Sequence, residues 1–405
     1  MIKIAVLGYG TVGSGVVEVI EKNKDIVNKK SGEEIEIKYI LDLREFPGDP
    51  YEDKVVHDFS RILADDEIQI VCETMGGIGA AYEFTKQALS AGKSVCTSNK
   101  ELVAAHGPEL LALAKGHACN YLFEASVGGG IPVIRPMNYS LTAERIEAVT
   151  GILNGTTNYI LSKMEYEGAD YDTVLKEAQE KGYAERNPEA DVEGHDACRK
   201  IAILSSLMTG KNVDYRKIYT EGITKVESRD FEYAKHLGMS IKLLALSKEV
   251  ENKTVAMVSP FLIDGAHPLH MVNGVFNAVF VRGNMLGDSM YYGKGAGKLP
   301  TASAVVSDVI DCARHIGKVL MCFWDAEEAD LLSIDRVQRK FFFRVKAEGL
   351  AMARELFGQG LEEVSLPGVK EECGIITPVI SEADFADRYG KLEGLSVGRR
   401  LRIEG

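Results

Sequence analysis

Paired cysteines are missing from this 405-residue chain: its seven cysteines stand singly, none in CxxC spacing. An odd count without pairing excludes a disulfide framework or a zinc finger and reads as reduced, buried thiols in a cytoplasmic protein. Positive charge is also scarce, with 47 Lys+Arg against 60 Asp+Glu and a net charge of −13. That balance argues against nucleic acid or an anionic membrane surface as partner, since both need a basic patch to displace counterions. Long apolar runs are missing too. The longest uncharged stretch, Gly265 to Val281, carries two His, two Asn and a Pro, which no bilayer span tolerates. No charged leader precedes the first apolar run, so no targeting segment is expected. What remains is ordinary globular usage, 45% apolar and 26% charged, at a length that suggests two or three domains.

The first third alternates apolar strands with helical periods, the pattern of a doubly wound parallel α/β sheet. Strands are expected at Ile2–Gly8, Ile35–Leu41, Ile68–Glu73, Lys93–Thr97 and Asn120–Glu124, with helices after Gly13, at Ala80–Ala91 and at Pro108–Gly116. From about Arg145 the texture becomes α+β: strands at Glu147–Ile152, Thr254–Leu262 and Asn277–Val281, helices at Thr157–Glu167, Tyr171–Lys181 and His195–Met208. The helix Thr301–His315 is long enough to pack back on the first sheet. We therefore expect a Rossmann dinucleotide-binding domain from residues 1–144 and about 301–334, and a substrate and oligomerisation domain from 145–300. The βαββαβ order of residues 335–405 suggests a small ferredoxin-like domain. If that tail is purely regulatory or assembly-related, deleting residues from about 336 onward is expected to leave the chemistry intact; loss of activity would mean that the tail completes the active site.

Gly8-Tyr9-Gly10-Thr11-Val12-Gly13 follows a strand and opens a helix, as G-x-G-x-x-G must to bind a dinucleotide. The first glycine makes the turn, the second lets backbone approach the pyrophosphate, and the third lets helix pack on strand. Thr11 and Val12 then supply N–H groups at the positive end of the helix. Asp42, at the end of the second strand, would accept from the ribose hydroxyls and repel a 2′-phosphate, whereas Arg44 would attract one. Lys100, in Thr97-Ser98-Asn99-Lys100, stands at the carboxyl edge of the sheet, where ligands of such folds bind. Glu124-Ala125-Ser126-Val127-Gly128-Gly129-Gly130-Ile131 offers carbonyls and one carboxylate, which suit either a hard monovalent cation or a plain tight turn. Asn154-Gly155-Thr156-Thr157-Asn158 presents polar groups at a helix start. Asp196 and Lys200 are i and i+4 on a helix that is apolar nearly all round, so the lysine is buried, and proton transfer is the chemistry that explains it. His195 faces about 100° away and reads as structural or exposed.

In these segments the chain resembles homoserine dehydrogenase: Gly8–Gly13, Thr97–Lys100, Phe123–Pro132, Gly151–Leu161, Gly182–Glu185 with Asp191–Lys200, and Gly293–Ser303, in that family's order. The resemblance implies an NAD(P)-dependent oxidoreductase that interconverts L-homoserine and L-aspartate 4-semialdehyde in threonine and methionine synthesis. It implies Lys200 as the proton donor and Lys100 as a second active-site lysine touching substrate and cofactor. Glu185 and Asp196 are implied as substrate ligands, with Asp191, Tyr183 and Thr156 nearby. Gly182 and Gly297 are implied on the nicotinamide side, and Glu124, Val127, Gly129 and Ile131 as a sodium loop. Two neighbouring lysines are expected to depress one another's pKa, as a general acid near neutrality needs. The resemblance further implies a cytoplasmic homodimer or homotetramer and an ACT-like tail. Asp42 departs from the arginine usual in this family, which favours NAD over NADP. Lys346-Ala347-Glu348-Gly349 lacks the usual Asp and Pro, so threonine feedback is not implied. Two rivals are an aspartate-semialdehyde dehydrogenase, which needs a thiolate beside a His base, and a cofactor-sensing regulator, which needs no catalytic lysines.

Overall fold

The computed structural model describes residues 1–404. Its first sheet is parallel throughout: β1 (Ile2–Leu7), β2 (Ile35–Leu41), β3 (Val55–Val56), β4 (Ile68–Glu73), β5 (Ser94–Thr97) and β6 (Tyr121–Leu122), in the order β3-β2-β1-β4-β5-β6. Both faces are covered, which is why the strands read as unbroken apolar runs. Ile4, Val6, Ile70 and Cys72 meet the helix Thr11–Lys22 and the returning helix Lys298–Arg314 on one side. Ala5, Leu7, Val71 and Val95 meet the helices Gly79–Ser90 and Lys100–Gly116 on the other. Strand order reverses between β1 and β4, and the carboxyl ends there open the crevice in which this architecture binds dinucleotides.

One helix is longer than its sequence suggests. Pro108 reads as a first-turn residue, yet the helix starts at Lys100 and Pro108 lies inside it. Asn99 caps it by accepting from the Leu102 N–H at 3.1 Å, and Leu102, Val103 and Leu110 are fully buried. Cap and burial outweigh the one hydrogen bond that proline removes.

The second sheet comprises β7 (Ile146–Ile152), β8 (Tyr219–Thr220), β9 (Met239–Val250), β10 (Lys253–Asp264), β11 (Phe276–Gly283), β12 (Gly287–Lys294), β13 (Gln338–Lys346), β14 (Glu362–Val364), β15 (Glu372–Ile376), β16 (Ile380–Ser381) and β17 (Ser396–Glu404). Its main path runs β12-β11-β7-β9-β10-β17-β13-β15-β14. β9, central in this sheet, has no counterpart among the expected strands. Ser240–Ser247 is buried on both faces, so no period-2 alternation marks it. Its turn into β10 uses Glu251 and Asn252, both at positive φ (54° and 61°), without the glycine that usually advertises such a turn. β15 ends at Ile376 and does not run on into β16, because Pro378 between them has no N–H to donate.

β17-β13-β15-β14 is antiparallel and, with helices Leu350–Phe357 and Glu382–Gly390, has ferredoxin-like order. It is not a detached appendage. β17 adds in parallel to β10 at Phe261–Arg402, Leu262–Ile403 and Ile263–Glu404. Buried arginines bind acids of the preceding domain: Arg402 donates to Ser259 Oγ at 2.7 Å and to Glu221 Oε2 at 2.5 Å, and Arg399 donates to Gly222 O at 2.8 Å. No helix among the described residues is long and apolar enough to cross a membrane.

Candidate active site

The glycine loop lies at the β1–β4 reversal. Gly8 has φ +87°, open only to glycine at low cost. A Cβ on Gly13 would sit 1.8 Å from Gly8 O, so this position must be bare for the helix to reach the strand. A Cβ on Gly10 would meet no protein atom within 4 Å. Packing therefore explains Gly13 but not Gly10, which fits a backbone that a pyrophosphate approaches. The following helix, Thr11–Lys22, has no side-chain cap and leaves its first N–H groups facing the crevice. Thr74, just past β4, donates its hydroxyl to Leu7 O and Gly8 O, both at 2.9 Å, and braces the loop.

Asp42 and Arg44 bind each other. Arg44 Nε donates to Asp42 Oδ1 and Nη2 to Oδ2, both at 2.9 Å; the Arg44 and Tyr9 backbone N–H groups add bonds at 3.0 and 2.8 Å. The guanidinium holds the Asp42 carboxyl well below the usual carboxylate range. Four donors fill the roughly four lone-pair positions of a carboxylate. A ribose hydroxyl reaches Asp42 only if the exposed Arg44 side chain moves.

The lysines converge on one acid. β7 delivers Leu153 and Asn154, and Gly194, at φ +82°, starts the helix His195–Thr209. Asp196 is 4% exposed and Lys200 9%. Lys200 Nζ donates to Asp196 Oδ2 at 2.6 Å and to Leu153 O at 2.8 Å. Lys100 Nζ, from the other domain, lies 3.0 Å from Asp196 Oδ1. Burial alone would raise the Asp196 carboxyl, but the two ammonium groups outweigh it and hold it far below its ordinary value. The expected mutual depression of the lysines is not what Lys100 shows: the charge of Asp196 between them raises the Lys100 ammonium. Asp191 stands on the rim, its carboxyl pushed up by burial and then by Asp196.

Asn154 is the residue missed as a site member. Its Nδ2 donates to Asp191 Oδ1 at 2.7 Å and Asp196 Oδ2 at 2.9 Å, while its Oδ1 accepts from Thr157 N at 2.9 Å. Its segment stands out in the sequence as polar groups at a helix start, but the partners of its amide, Asp191 and Asp196, lie about forty positions on. Thr156 donates to Tyr183 O at 2.5 Å, which ties the helix start to the Gly182–Glu185 segment. Gly182 takes φ +72°, and Tyr183 and Glu185 are exposed at the rim, with no ion pair for the Glu185 carboxylate among the described residues. Gly297, at φ +117°, opens the helix Lys298–Arg314.

The loop after β6 divides its oxygens. The Glu124 carboxylate accepts from Val133, Ile134 and Arg135 N–H at 2.6, 3.0 and 2.6 Å. That carboxylate is a cap, which leaves backbone oxygens as the donor set. The carbonyls of Val127, Gly129 and Ile131 accept no backbone hydrogen bond among the described residues. His195 is exposed, as its position on the helix suggests, and Lys294 at the end of β12 is exposed too. Cys198 donates to Tyr215 O at 3.3 Å, and burial pushes its thiol up, so it is no activated nucleophile. All seven cysteines are free, and six are buried.

Two family models match the chain: one described as homoserine dehydrogenase, NAD binding domain, over residues 8–124, and one as homoserine dehydrogenase over residues 132–310. Homoserine dehydrogenase of Pseudomonas aeruginosa is 42% identical over 415 residues, covering 97% of this chain and 96% of that protein. The crystal structure of a homoserine dehydrogenase from Thiobacillus denitrificans superposes with a TM-score of 0.91 at 35% identity, covering 100% of this chain and 98% of that one. A hyperthermophilic archaeal homoserine dehydrogenase in complex with NADPH has a TM-score of 0.66 at 27% identity, over 77% of this chain and 97% of that one.

Proposed function

The chain belongs to the homoserine dehydrogenase family, NAD(P)-dependent oxidoreductases that interconvert L-homoserine and L-aspartate 4-semialdehyde, and from that premise we propose the following roles for its residues. Lys200 gives a proton to the aldehyde oxygen in reduction and takes it from the hydroxyl in oxidation. The observation that carries this role is the bonding of its ammonium: two of three N–H donors are held by Asp196 and Leu153 O, and the third is left for a ligand. Asp196, ionised between two cations, holds the Lys200 side chain in place, and Lys100 adds positive charge where the substrate oxygen becomes negative. Glu185 and Asp196 hold the substrate's amino group and alcohol end, with Asp191, Tyr183 and Thr156 nearby. The dinucleotide, when bound, supplies or accepts the hydride. Gly8, Gly10, Thr11, Val12 and Gly13 would hold its pyrophosphate, and Gly182 and Gly297 would flank its nicotinamide.

Both dinucleotides serve, with NAD⁺ the better. Asp42 is fixed at the strand end, whereas Arg44 is exposed and already paired to it. The backbone carbonyls of Glu124, Val127, Gly129 and Ile131 suit a sodium ion, hard oxygen donors for a hard cation. The chain pairs with further copies of itself as a homodimer or homotetramer in the cytoplasm. In support, β12 is an edge strand with Met290 and Tyr292 exposed along it, and Met285 and Leu286 are exposed in the turn that leads into it. Purified chain mixed with L-homoserine and NAD⁺ or NADP⁺ should reduce the nicotinamide, which its absorbance reports. No reduction with either dinucleotide would overturn the assignment.

A further inference from the structure

Glu73, the last residue of β4, is fully buried. No lysine or arginine among the described residues pairs with it, and burying an acid without a cation is costly. Its bonds reach two functional turns. Oε1 accepts from Met75 N–H at 2.8 Å and Oε2 from the Thr97 hydroxyl at 2.5 Å. Thr97 Oγ1 in turn accepts from Asn99 N–H at 2.9 Å. Asn99 donates through Nδ2 to Gly77 O at 2.6 Å and caps the helix whose first residue is Lys100. On the other side, Thr74 braces Gly8. The carboxyl therefore sits where the cofactor loop, the turn after β4 and the turn presenting Lys100 meet.

The donors run in one direction, from Asn99 to Thr97 to Glu73. A glutamine of the same shape would still accept from Met75, but its amide N–H groups would oppose the Thr97 hydroxyl and leave that proton without an acceptor. We propose that the Glu73 carboxylate is a positioning residue for hydride transfer, fixing the turn that aims Lys100 at Asp196 against the loop that carries the dinucleotide. The proposal rests on the roles assigned to Lys100 and to the glycine loop. The groups facing Glu73 are the Thr97 hydroxyl and Asn99 amide from the β5 turn, the Met75 amide from its own, and the Tyr121 phenol from β6. The Tyr121 hydroxyl is buried without a partner, and its pKa is raised by burial and by the Glu73 charge. Burial pushes the Glu73 carboxyl up to about 7, against the pull of Thr97 and Met75. Protonation near neutrality thus removes an acceptor that the turn needs.

The test is the pH profile of kcat for the full chain with L-homoserine and its better dinucleotide, for wild type, Glu73→Gln, Glu73→Asp and Lys100→Ala. Wild-type kcat should rise with pH through an inflection near 7. Glu73→Gln should lower kcat above that pH by roughly 10–100-fold and erase the inflection, with KM for homoserine moving less than about threefold. Glu73→Asp should restore the inflection with part of the rate, which a merely structural role would not produce. Glu73→Gln turning over normally, or keeping the inflection, overturns the proposal while a crippled Lys100→Ala leaves the site assignment standing. A fully active Lys100→Ala would instead overturn the site assignment and this proposal with it.

Discussion

Replacing Arg344 by methionine should show that the last domain and the substrate domain fold as one unit. Arg344, on β13, is 2% exposed. Its Nε donates to Asp230 Oδ1 at 2.9 Å and its Nη1 to Glu372 at 3.1 Å, and it also pairs with Glu227. Asp230 belongs to the helix Ser228–His236, is fully buried, and otherwise accepts from the Glu227 N–H at 2.9 Å. Burial already pushes its carboxyl up despite the guanidinium. Methionine fills similar volume, so the main cost is a buried carboxylate left without its cation, about 3–5 kcal/mol. Urea denaturation followed by circular dichroism reads this as a lowered midpoint. The loss should shrink toward acid pH: without Arg344 the folded pKa of Asp230 rises further above its unfolded value, so the folded state regains stability as Asp230 takes up a proton. Arg344→Met with Asp230→Asn should recover most of the loss, because both partners then go together. A single-mutant cost below about 1 kcal/mol, or a double mutant no better than the single, would refute the reasoning.

Three further outcomes follow from the cofactor and substrate sites. Gly13→Ala should prevent correct folding, whereas Gly10→Ala should leave the melting midpoint unchanged and weaken dinucleotide binding, read by calorimetry; equal effects on folding would reject the pyrophosphate assignment. Asp42→Ala should narrow or invert the preference for NAD⁺, and Arg44→Ala should weaken NADP⁺ more than NAD⁺, each by about 1–2 kcal/mol in kcat/KM. Wild type strongly preferring NADP⁺ would show that Arg44 prevails. Glu185→Ala should raise KM for homoserine far more than KM for the dinucleotide; equal shifts would make it structural.

Local patterns carried most of this into the sequence. The glycine fingerprint sits between β1 and its helix because strand, turn and helix are contiguous, and Asp196 meets Lys200 because four residues make one helical turn. Contacts across domains were illegible. Nothing near Lys100 signals that it meets Asp196, 96 positions on in the chain, and so its raised pKa was inverted in the sequence reading. Asn154 stands in a segment legible as polar, but its bonds to Asp191 and Asp196 span 37 and 42 positions and leave no local sign. β9 carries no alternation because both its faces are covered. The tail misled most: its βαββαβ order is plain, but the docking of β17 on β10 depends on Arg399 and Arg402 finding Glu221, and isolated arginines in a strand look solvated. A tail anchored in this way is not a detached appendage, and its removal strips Glu221 and Asp230 of their cations.

The central claim is that Lys200 moves the proton, and Lys200→Ala tests it most directly. Hydride transfer is measured in both directions, beside calorimetric binding of homoserine and dinucleotide to the folded variant. The account predicts a kcat lower by about 10²–10⁴-fold with both ligands still bound. Near-normal turnover by the folded variant would contradict it.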